Sequence, residues 1–458
     1  MKDLITQIIT ELGYDKSVVD ENQENRVNLW LSWLKGKTKD HQYRIYNGKK
    51  YVKKEFKSLN IASQSCSDLG DFFINEKLDI TIDKPNVQEK INECLEQNNF
   101  LENANKLVQL VKALGTGALV EYLDDSVLKI NYINATNIII LKADRGEIQD
   151  VLFFSESNNR LYVNIHRLDE DGYTIINKRY IQSGDSYVEE VLDENVSEIH
   201  THSFIPKFQI ITTPEINNFD INSPYGISCY ANALDTIIAL DRAYDSFDNE
   251  IALGRKRVYV PAKSVQFNID TNGNTIPAFD DSDVAFYVYP GNGDNEKLVE
   301  SSFDLRIEQL TQAIQAQLNI YTAKIGLGHN YYKFKNGETY VNVVNVMSSN
   351  SDVYRKIKKQ ENILTRAITG MCYAIAELIG LTEEFSVSVF YDDSIIEDTE
   401  SIRKQAQTEY NTKLISKAQY YRDVYKLKDD EALAFAEQMN EEIRNESLIE
   451  GEEENFVE

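Results

Sequence analysis

An α+β architecture is predicted by three features of the sequence. Long apolar stripes recur at helical spacing, a block of short strand-like runs fills residues 117 to 212, and strand does not alternate with helix as in a nucleotide-binding parallel sheet. From the start of the chain, Leu4, Ile8 and Leu12, then Val27, Trp30 and Leu34, predict helix across residues 1 to 34. Tyr43-Arg44-Ile45-Tyr46, Asn47-Gly48 and Lys49-Lys50-Tyr51-Val52 follow. They predict a hairpin with a two-residue turn, because Asn and Gly tolerate the positive φ a tight turn needs. Helices cover 61 to 76 and 86 to 114. The strand block contains Leu128-Lys129-Ile130, Ile138-Ile139-Ile140-Leu141, Val151-Leu152-Phe153-Phe154 and Arg160-Leu161-Tyr162-Val163.

Beyond residue 222 the helices lengthen. Ser223-Pro224 has the form of an N-cap with Pro at the first helical position, ahead of Ile227, Tyr230, Leu234, Ile238, Tyr244, Phe247 and Ile251. Such a helix of roughly 30 residues would be about 45 Å long. Its other face shows Asp235, Asp241, Asp245, Asp248 and Glu250, and Arg255-Lys256-Arg257 at its end suits the helix dipole. Val258-Tyr259-Val260 then leads into a small insert with strands near 264 to 269 and 284 to 289 and turns at Asn272-Gly273 and Gly291-Asn292-Gly293-Asp294. A second long helix begins at Ser302, carries Ile307, Leu310, Ile314, Leu318, Tyr321 and Ile325 on one stripe, and stops at Gly326. Two long helices bracketing a β insert form a stalk with a cap. Residues 327 to 345 read as a loop, and a third long helix runs from about 349 to 379, ending at Gly380. The strand 385 to 390 and two acidic helices, about 398 to 425 and 429 to 447, complete the chain.

The 458 residues, 42% hydrophobic and 27% charged, suit two or three domains with real cores and exclude wholesale disorder. A net charge of -26 argues against a protein that grips nucleic acid over its whole surface. No apolar run approaches the roughly 20 residues needed to span a bilayer, and the N-terminus lacks the pattern of a secretory signal, so a soluble product made in the cytoplasm is expected. Cys66, Cys94, Cys229 and Cys372 are far apart and read as buried, reduced packing residues. Charge is uneven. Residues 35 to 57 carry nine Lys/Arg against Asp40 and Glu55, whereas 383 to 458 hold 21 acids against eight bases.

Catalytic signatures are sparse. No phosphate-binding loop, dinucleotide fingerprint or nucleophile elbow occurs, and Gly115-Thr116-Gly117 lies between a helix and a strand, where it reads as a turn. Asp124-Asp125, Asp280-Asp281-x-Asp283 and Asp392-Asp393 pair carboxylates, but each falls where a turn is expected. His200-Thr201-His202 has alternate-strand spacing with no third ligand nearby in sequence. The basic, tyrosine-bearing segment 35 to 57 reads as a solvated hairpin, a contact with an acidic subunit or a nucleic-acid surface. His329-Asn330-Tyr331-Tyr332-Lys333-Phe334-Lys335-Asn336-Gly337 places aromatic and basic side chains on a tip able to meet a phosphate backbone.

Several strings resemble the portal proteins of tailed bacteriophages, specifically of long-tailed phages with Gram-positive hosts. They are Tyr46-Asn47-Gly48-Lys49-Lys50, Ser58-Leu59-Asn60-Ile61-Ala62 running to Ile74-Asn75-Glu76-Lys77, and Gly115-Thr116-Gly117-Ala118. Further along come Tyr225-Gly226-Ile227-Ser228 through Ala231-Asn232-Ala233-Leu234-Asp235 to Asp241-Arg242-Ala243-Tyr244-Asp245-Ser246, and Ser349-Asn350-Ser351-Asp352-Val353-Tyr354-Arg355. Gly70 and Phe72 depart from the pattern, standing where bulkier residues, Trp included, are expected.

The resemblance implies a portal-type fold with an α/β wing, a two-helix stem, a small β clip and an α-helical crown. Its parts map as wing 1–222, first stem helix 223–257, clip 258–301, second stem helix 302–325, tunnel loop 326–345, long wing helix and strand 346–397, and crown with acidic tail 398–458. It implies a ring of about 12 subunits at the capsid vertex of the virion, made in the host bacterial cytoplasm. The ring would pass double-stranded DNA during packaging and ejection and meet the terminase large subunit, a head-tail adaptor, and the major capsid and scaffolding proteins. Neither enzyme activity, cofactor, metal nor membrane is implied. Channel-facing residues are expected to be Lys333, Lys335, Asn336, Asp235, Asp241, Asp245 and Asp248, and docking residues Asn272, Gly273, Asp280, Asp281 and Asp283. Two other readings remain: a metal-dependent hydrolase built on clustered carboxylates, and another phage capsid or scaffolding component.

Overall fold

The computed structural model describes residues 1–46, 49–75, 78–184, 186–254, 257–261, 267–269, 275–277, 286–289, 299–301, 304–335, 338–341, 351–391, 406–425 and 433–439. Helices and strands mix throughout, as an α+β chain requires. The predicted first helix is two, Lys2–Glu11 and Glu21–Leu34. Gly13 takes a φ of 86° between them, and Asp15 and Asp20 accept the N–H groups of Ser17 and Asn22 in new N-caps. Likewise 86 to 114 divides into Pro85–Gln97 and Phe100–Leu114 at Asn99, whose φ is 46°. Ile61–Phe73 packs against Phe100–Leu114, and Gly70 permits the approach, since a Cβ there would lie 2.5 Å from Gln109 Cγ. A larger residue at position 70 would push the helices apart.

All four strand runs expected between 128 and 163 are strands. A six-stranded antiparallel sheet orders Ser186–Glu190, Gly172–Ser183, Arg160–Asp169, Glu147–Ser157 and Ile138–Asp144, with Glu198–His200 also pairing to Gly172–Ser183. Ile5, Ile8 and Ile9 of the first helix cover one face of this sheet, packing on Leu152, Leu161, Val163 and Ile165. Against its other face lies a three-stranded sheet, Phe208–Thr212, Thr116–Asp124 and Val127–Asn134, through Ala118, Val120, Phe153, Tyr173 and Phe208. The alternation of inward and outward residues along these strands is what lets one sheet serve two cores.

Helix Ser351–Leu378 crosses the three-stranded sheet and joins the largest core through Ile357, Leu364, Ile368, Met371 and Ile375. Polar ties fix it. Gln360 Oε1 accepts from the buried Lys112 Nζ at 2.8 Å and Gln360 Nε2 donates to Thr212 O at 3.2 Å, while Lys207 Nζ lies 2.9 Å from Glu377 Oε2. Val387–Phe390 pairs with Asp79–Ile82, closing the far end of the chain onto its beginning. Of the expected acidic helices the structure describes 406–411, Lys417–Tyr425 and 433–439, with Lys413 at a φ of 60° interrupting the first. Residues 398–405, 426–432 and 440–458 lie outside the described residues.

Three further expectations change. Tyr46 pairs with Tyr51, so four residues rather than two join that hairpin, and Asn47 and Gly48 lie outside the described residues. Cys66 and Cys372 are buried as expected, but Cys94 and Cys229 are only half-buried. All four are free thiols, with Cys66 Sγ 3.9 Å from Cys229 Sγ.

Ser223-Pro224 opens no helix. The N–H groups of Gly226 and Ile227 bond to Thr116 Oγ1 and Thr213 Oγ1, both at 3.1 Å, and Cys229 N donates to Lys112 O at 2.8 Å. With its donors held by other segments, the chain makes only a 3-10 turn at Ala231–Ala233 before the α-helix starts at Leu234.

Glu121 sits between the three-stranded sheet and Ser351–Leu378 with both carboxylate oxygens buried and unpartnered among the described residues. Burial raises its pKa to about 8, partly offset by its own backbone N–H and by Lys207. The folded carboxyl therefore keeps its proton between the ordinary glutamate range and about pH 8, while the unfolded chain has released it. Stability falls with rising pH across that window, by about 1.4 kcal/mol per pH unit, and levels off above it. Glu121→Gln removes this slope. Denaturant melts at pH 5.5, 6.5 and 7.5 should show the variant gaining on the wild type as pH rises, and parallel curves would contradict the assignment.

Candidate functional site

Helices Leu234–Leu253 and Ile307–Ile325 form an antiparallel pair, about 30 Å and 28 Å long. The first is a third shorter than its sequence pattern suggests, and the second begins five residues after Ser302. Apolar positions Ile237, Leu240, Ile314, Leu318 and Tyr321 join the main core. Charged clamps close both ends. Arg306 donates to Glu250 from its backbone N and Nε, each at 3.1 Å, and from Nη2 at 2.7 Å, while Lys324 Nζ reaches Asp235 Oδ1 at 2.7 Å. These donors hold the Glu250 and Asp235 carboxyls below their usual range. Gly326, at a φ of 88°, ends the second helix as expected.

The segment after it is not simply a loop. Tyr332–Lys335 and Glu338–Val341 form a hairpin. Gln315 on the second helix clamps its first strand, donating from Nε2 to Tyr332 O at 2.9 Å and accepting Phe334 N–H at 2.8 Å on Oε1. Tyr331, Tyr332 and Phe334 are buried, and Tyr332 OH donates to Asp68 Oδ2 at 2.6 Å. The expectation of aromatic side chains presented at an open tip is thus overturned: alternate residues point inward. Lys333 points outward and is exposed. Lys335 ends the strand, and Asn336 lies outside the described residues.

The row of acids on Leu234–Leu253 divides in two. Asp235 is exposed, and Asp248 is partly exposed against Lys57 Nζ at 2.7 Å. Asp241 has no exposed surface. Its Oδ2 meets His41 Nε2 at 2.8 Å and Ser58 Oγ at 2.9 Å, and its Oδ1 accepts Leu59 N–H at 3.1 Å. Burial raises the Asp241 pKa, opposed by these three donors. Asp245, also buried, accepts Lys57 N–H and Asn249 Nδ2. Neither carboxylate reaches a solvent channel; both tie the segment 41–59 to the helix. Asn272, Gly273, Asp280, Asp281 and Asp283 lie outside the described residues, as do Arg255 and Lys256.

Asp124 and Asp125 occupy an exposed strand-to-strand turn. Asp280, Asp281, Asp283, Asp392 and Asp393 of the other carboxylate clusters lie outside the described residues. His200 Nδ1 meets Thr174 Oγ1 and His202 Nδ1 meets Asp171 Oδ2, each at 3.1 Å, so the two imidazoles engage separate partners. Among the described residues no group of three His, Cys, Asp or Glu is placed to hold a metal, and no helix is long and apolar enough to cross a membrane.

Sequence reasoning missed His41, Ser58, Asp68, Gln315 and Arg306, whose partners lie far away along the chain. The alternation in Tyr332-Lys333-Phe334-Lys335 was an available signal for the hairpin. Removing the central acceptor by Asp241→Ala should cost about 3–5 kcal/mol by stranding the buried His41 and the half-buried donors of Ser58 and Leu59. Denaturant unfolding checks this, and a loss below about 1 kcal/mol would mean that water replaces the carboxylate.

The chain matches the family model "Phage portal protein, SPP1 Gp6-like" over residues 16–447. No curated protein matches it by sequence. Among solved structures it is similar to a chain in the "Neck of native GTA particle computed with C12 symmetry", at 10% identity and a TM-score of 0.38, covering 79% of this chain and 88% of that one. With the family model spanning nearly its whole length, this chain belongs to the SPP1 Gp6-like phage portal proteins.

Proposed function

We propose that this chain is one subunit of a ring of about 12 copies at the capsid vertex of a phage with a Gram-positive host. The ring is the channel for double-stranded DNA and the dock for the terminase large subunit and then the head-tail adaptor, within a shell of major capsid and scaffolding proteins. The observation that carries this reading is the family match over residues 16–447. On it, Leu234–Leu253 and Ile307–Ile325 serve as the stem, 258–301 as the clip, 326–345 as the tunnel loop, the α/β body with Ser351–Leu378 as the wing, and 398–458 as the crown. The role is mechanical, not catalytic.

Charge supports a sliding channel. Each Lys or Arg paired with phosphate adds a salt-dependent binding contribution, and a ring multiplies it by the subunit number, so a densely basic lumen would hold the duplex it must pass. Asp235 and Asp248, the helix acids nearest solvent, offset Lys324 and Lys57 and so deny the duplex a net cationic hold on the wall. Asp241 and Asp245 instead brace the stem. Lys333, displayed on a strand that Gln315 fixes to the stem, is the sparse contact at the constriction, with Lys335 beside it in sequence. Docking falls to the clip, with Asn272, Gly273, Asp280, Asp281 and Asp283 as its expected contacts.

Replacing Lys333 and Lys335 together by Glu should leave ring assembly intact and reduce the DNA packaged or retained per particle at least several-fold, measured by nuclease-protected DNA. Unchanged packaging would remove these lysines from the channel account.

A further inference from the structure

The hairpin Gln42–Tyr46 and Tyr51–Glu55 has an unusual pairing. Arg44 lies directly opposite Lys53, and like charges facing each other across strands destabilise a sheet. A two-stranded hairpin has little stability in reserve. Its base is anchored: Tyr43 stacks on Phe56 at 4.5 Å, the Arg242 guanidinium sits 5.9 Å over Phe56, and Lys57 pairs with Asp248. Its outer face is not. Arg44, Tyr46, Tyr51 and Lys53 share that face with Gln42 and Glu55 at its base, all are exposed, Tyr51 by 72%, and Arg44 and Lys53 make no ion pair with any described residue. Arginine and tyrosine are enriched at the centre of protein interfaces, and a lysine beside them suits the rim.

The complementary surface lies elsewhere on the same chain. Residues 185 to 198 contain six acids and no Lys or Arg. Ser186–Glu190 is the outermost strand of the six-stranded sheet. Val188 and Val191 are exposed there by 57% and 92%, among the exposed acids Glu189, Asp193 and Glu198. Glu189 approaches Lys178 only at 3.8 Å, and Glu198 approaches His200 at 3.9 Å. An apolar, acidic edge therefore matches an aromatic, basic hairpin in both charge and character.

We propose that the hairpin of one copy docks on the 186–198 edge of the next copy, with Arg44 and Lys53 meeting Glu189, Asp193 and Glu198, and the two tyrosines covering Val188 and Val191. The contact is head-to-tail, so each copy uses one surface on either side, the kind of contact a closed ring requires. It rests on the ring reading above. A duplex would neutralise the cations, but its backbone has no apolar surface for Tyr46 and Tyr51. Charge of opposite sign on the two surfaces also steers assembly and disfavours hairpin-to-hairpin association.

The test uses two charge-reversal sets in the full chain, Arg44→Glu with Lys53→Glu, and Glu189→Lys with Asp193→Lys and Glu198→Lys. Native mass is measured for each set alone and for an equimolar mixture. Each set alone should require at least tenfold more protein than the wild type to form rings. The mixture should recover rings in which the two chains alternate, since each reversed surface then faces its complement. Recovery also shows that both variants are folded. Wild-type-like rings from either set alone, or a mixture no better than its components, would overturn the contact and leave the ring reading standing. A wild type that stays monomeric at high concentration and in the presence of capsid and scaffolding proteins would overturn the ring reading and this contact with it. Normal rings from the hairpin set, combined with lost binding to a short DNA duplex, would show that the hairpin's partner is DNA.

Discussion

The backbones of Gly115 and Gly226 meet with no room between them. A Cβ on Gly115 would lie 2.4 Å from Gly226 O, and one on Gly226 would lie 2.2 Å from Gly115 O. No side chain fits on either, and Gly115 also needs its φ of 89° to end the helix Phe100–Leu114. Around the contact, Thr213 N donates to Gly115 O, Gly226 N to Thr116 Oγ1, and Thr213 Oγ1 to Ile227 O. The strands of the body, the last turn of its central helix and the approach to Leu234–Leu253 are thereby joined at one point. The starting position and direction of Leu234–Leu253 follow from it.

Buried polar ties carry the same rigidity outward. Asp241 binds Leu234–Leu253 to 41–59, Tyr332 binds the hairpin of Tyr332–Lys335 and Glu338–Val341 to Asp68, and Gln315 fixes that hairpin to Ile307–Ile325. Each replaces water around a buried polar group with partners from a separate segment, so each is satisfied only when the whole chain is assembled. The proposed channel, threading a stiff, highly charged polymer through a narrow opening, would need this stiffness. Lys333 can act at a constriction only if the strand presenting it does not yield.

Much of the fold was legible because helical periodicity is a local signal. Ile307–Ile325 and Ser351–Leu378 appeared with stops at Gly326 and Gly380, and the strands near 128, 138, 151 and 160 appeared from their apolar runs. Errors arose where backbone donors bind outside their own element. Gly226 and Ile227 bond to Thr116 and Thr213, and so Ser223-Pro224, a good local start signal, begins nothing. Gly13 and Asn99 break helices through left-handed conformations that an apolar stripe does not reveal. The acids of Leu234–Leu253 looked alike in sequence, yet only their three-dimensional partners separate Asp241 and Asp245, which brace the chain, from Asp235 and Asp248 nearer to solvent. The strings 115–118 and 225–228, far apart in sequence, carried the family resemblance and meet in space, where the two glycines admit no substitute.

The central claim is that this chain acts as a ring around an axial channel. The direct measurement is the native mass of the purified 52.6 kDa protein together with negative-stain images of the same sample. The account predicts a discrete species of about 12 copies with a central hole. A monomer that persists at high concentration and in the presence of capsid and scaffolding proteins would contradict it.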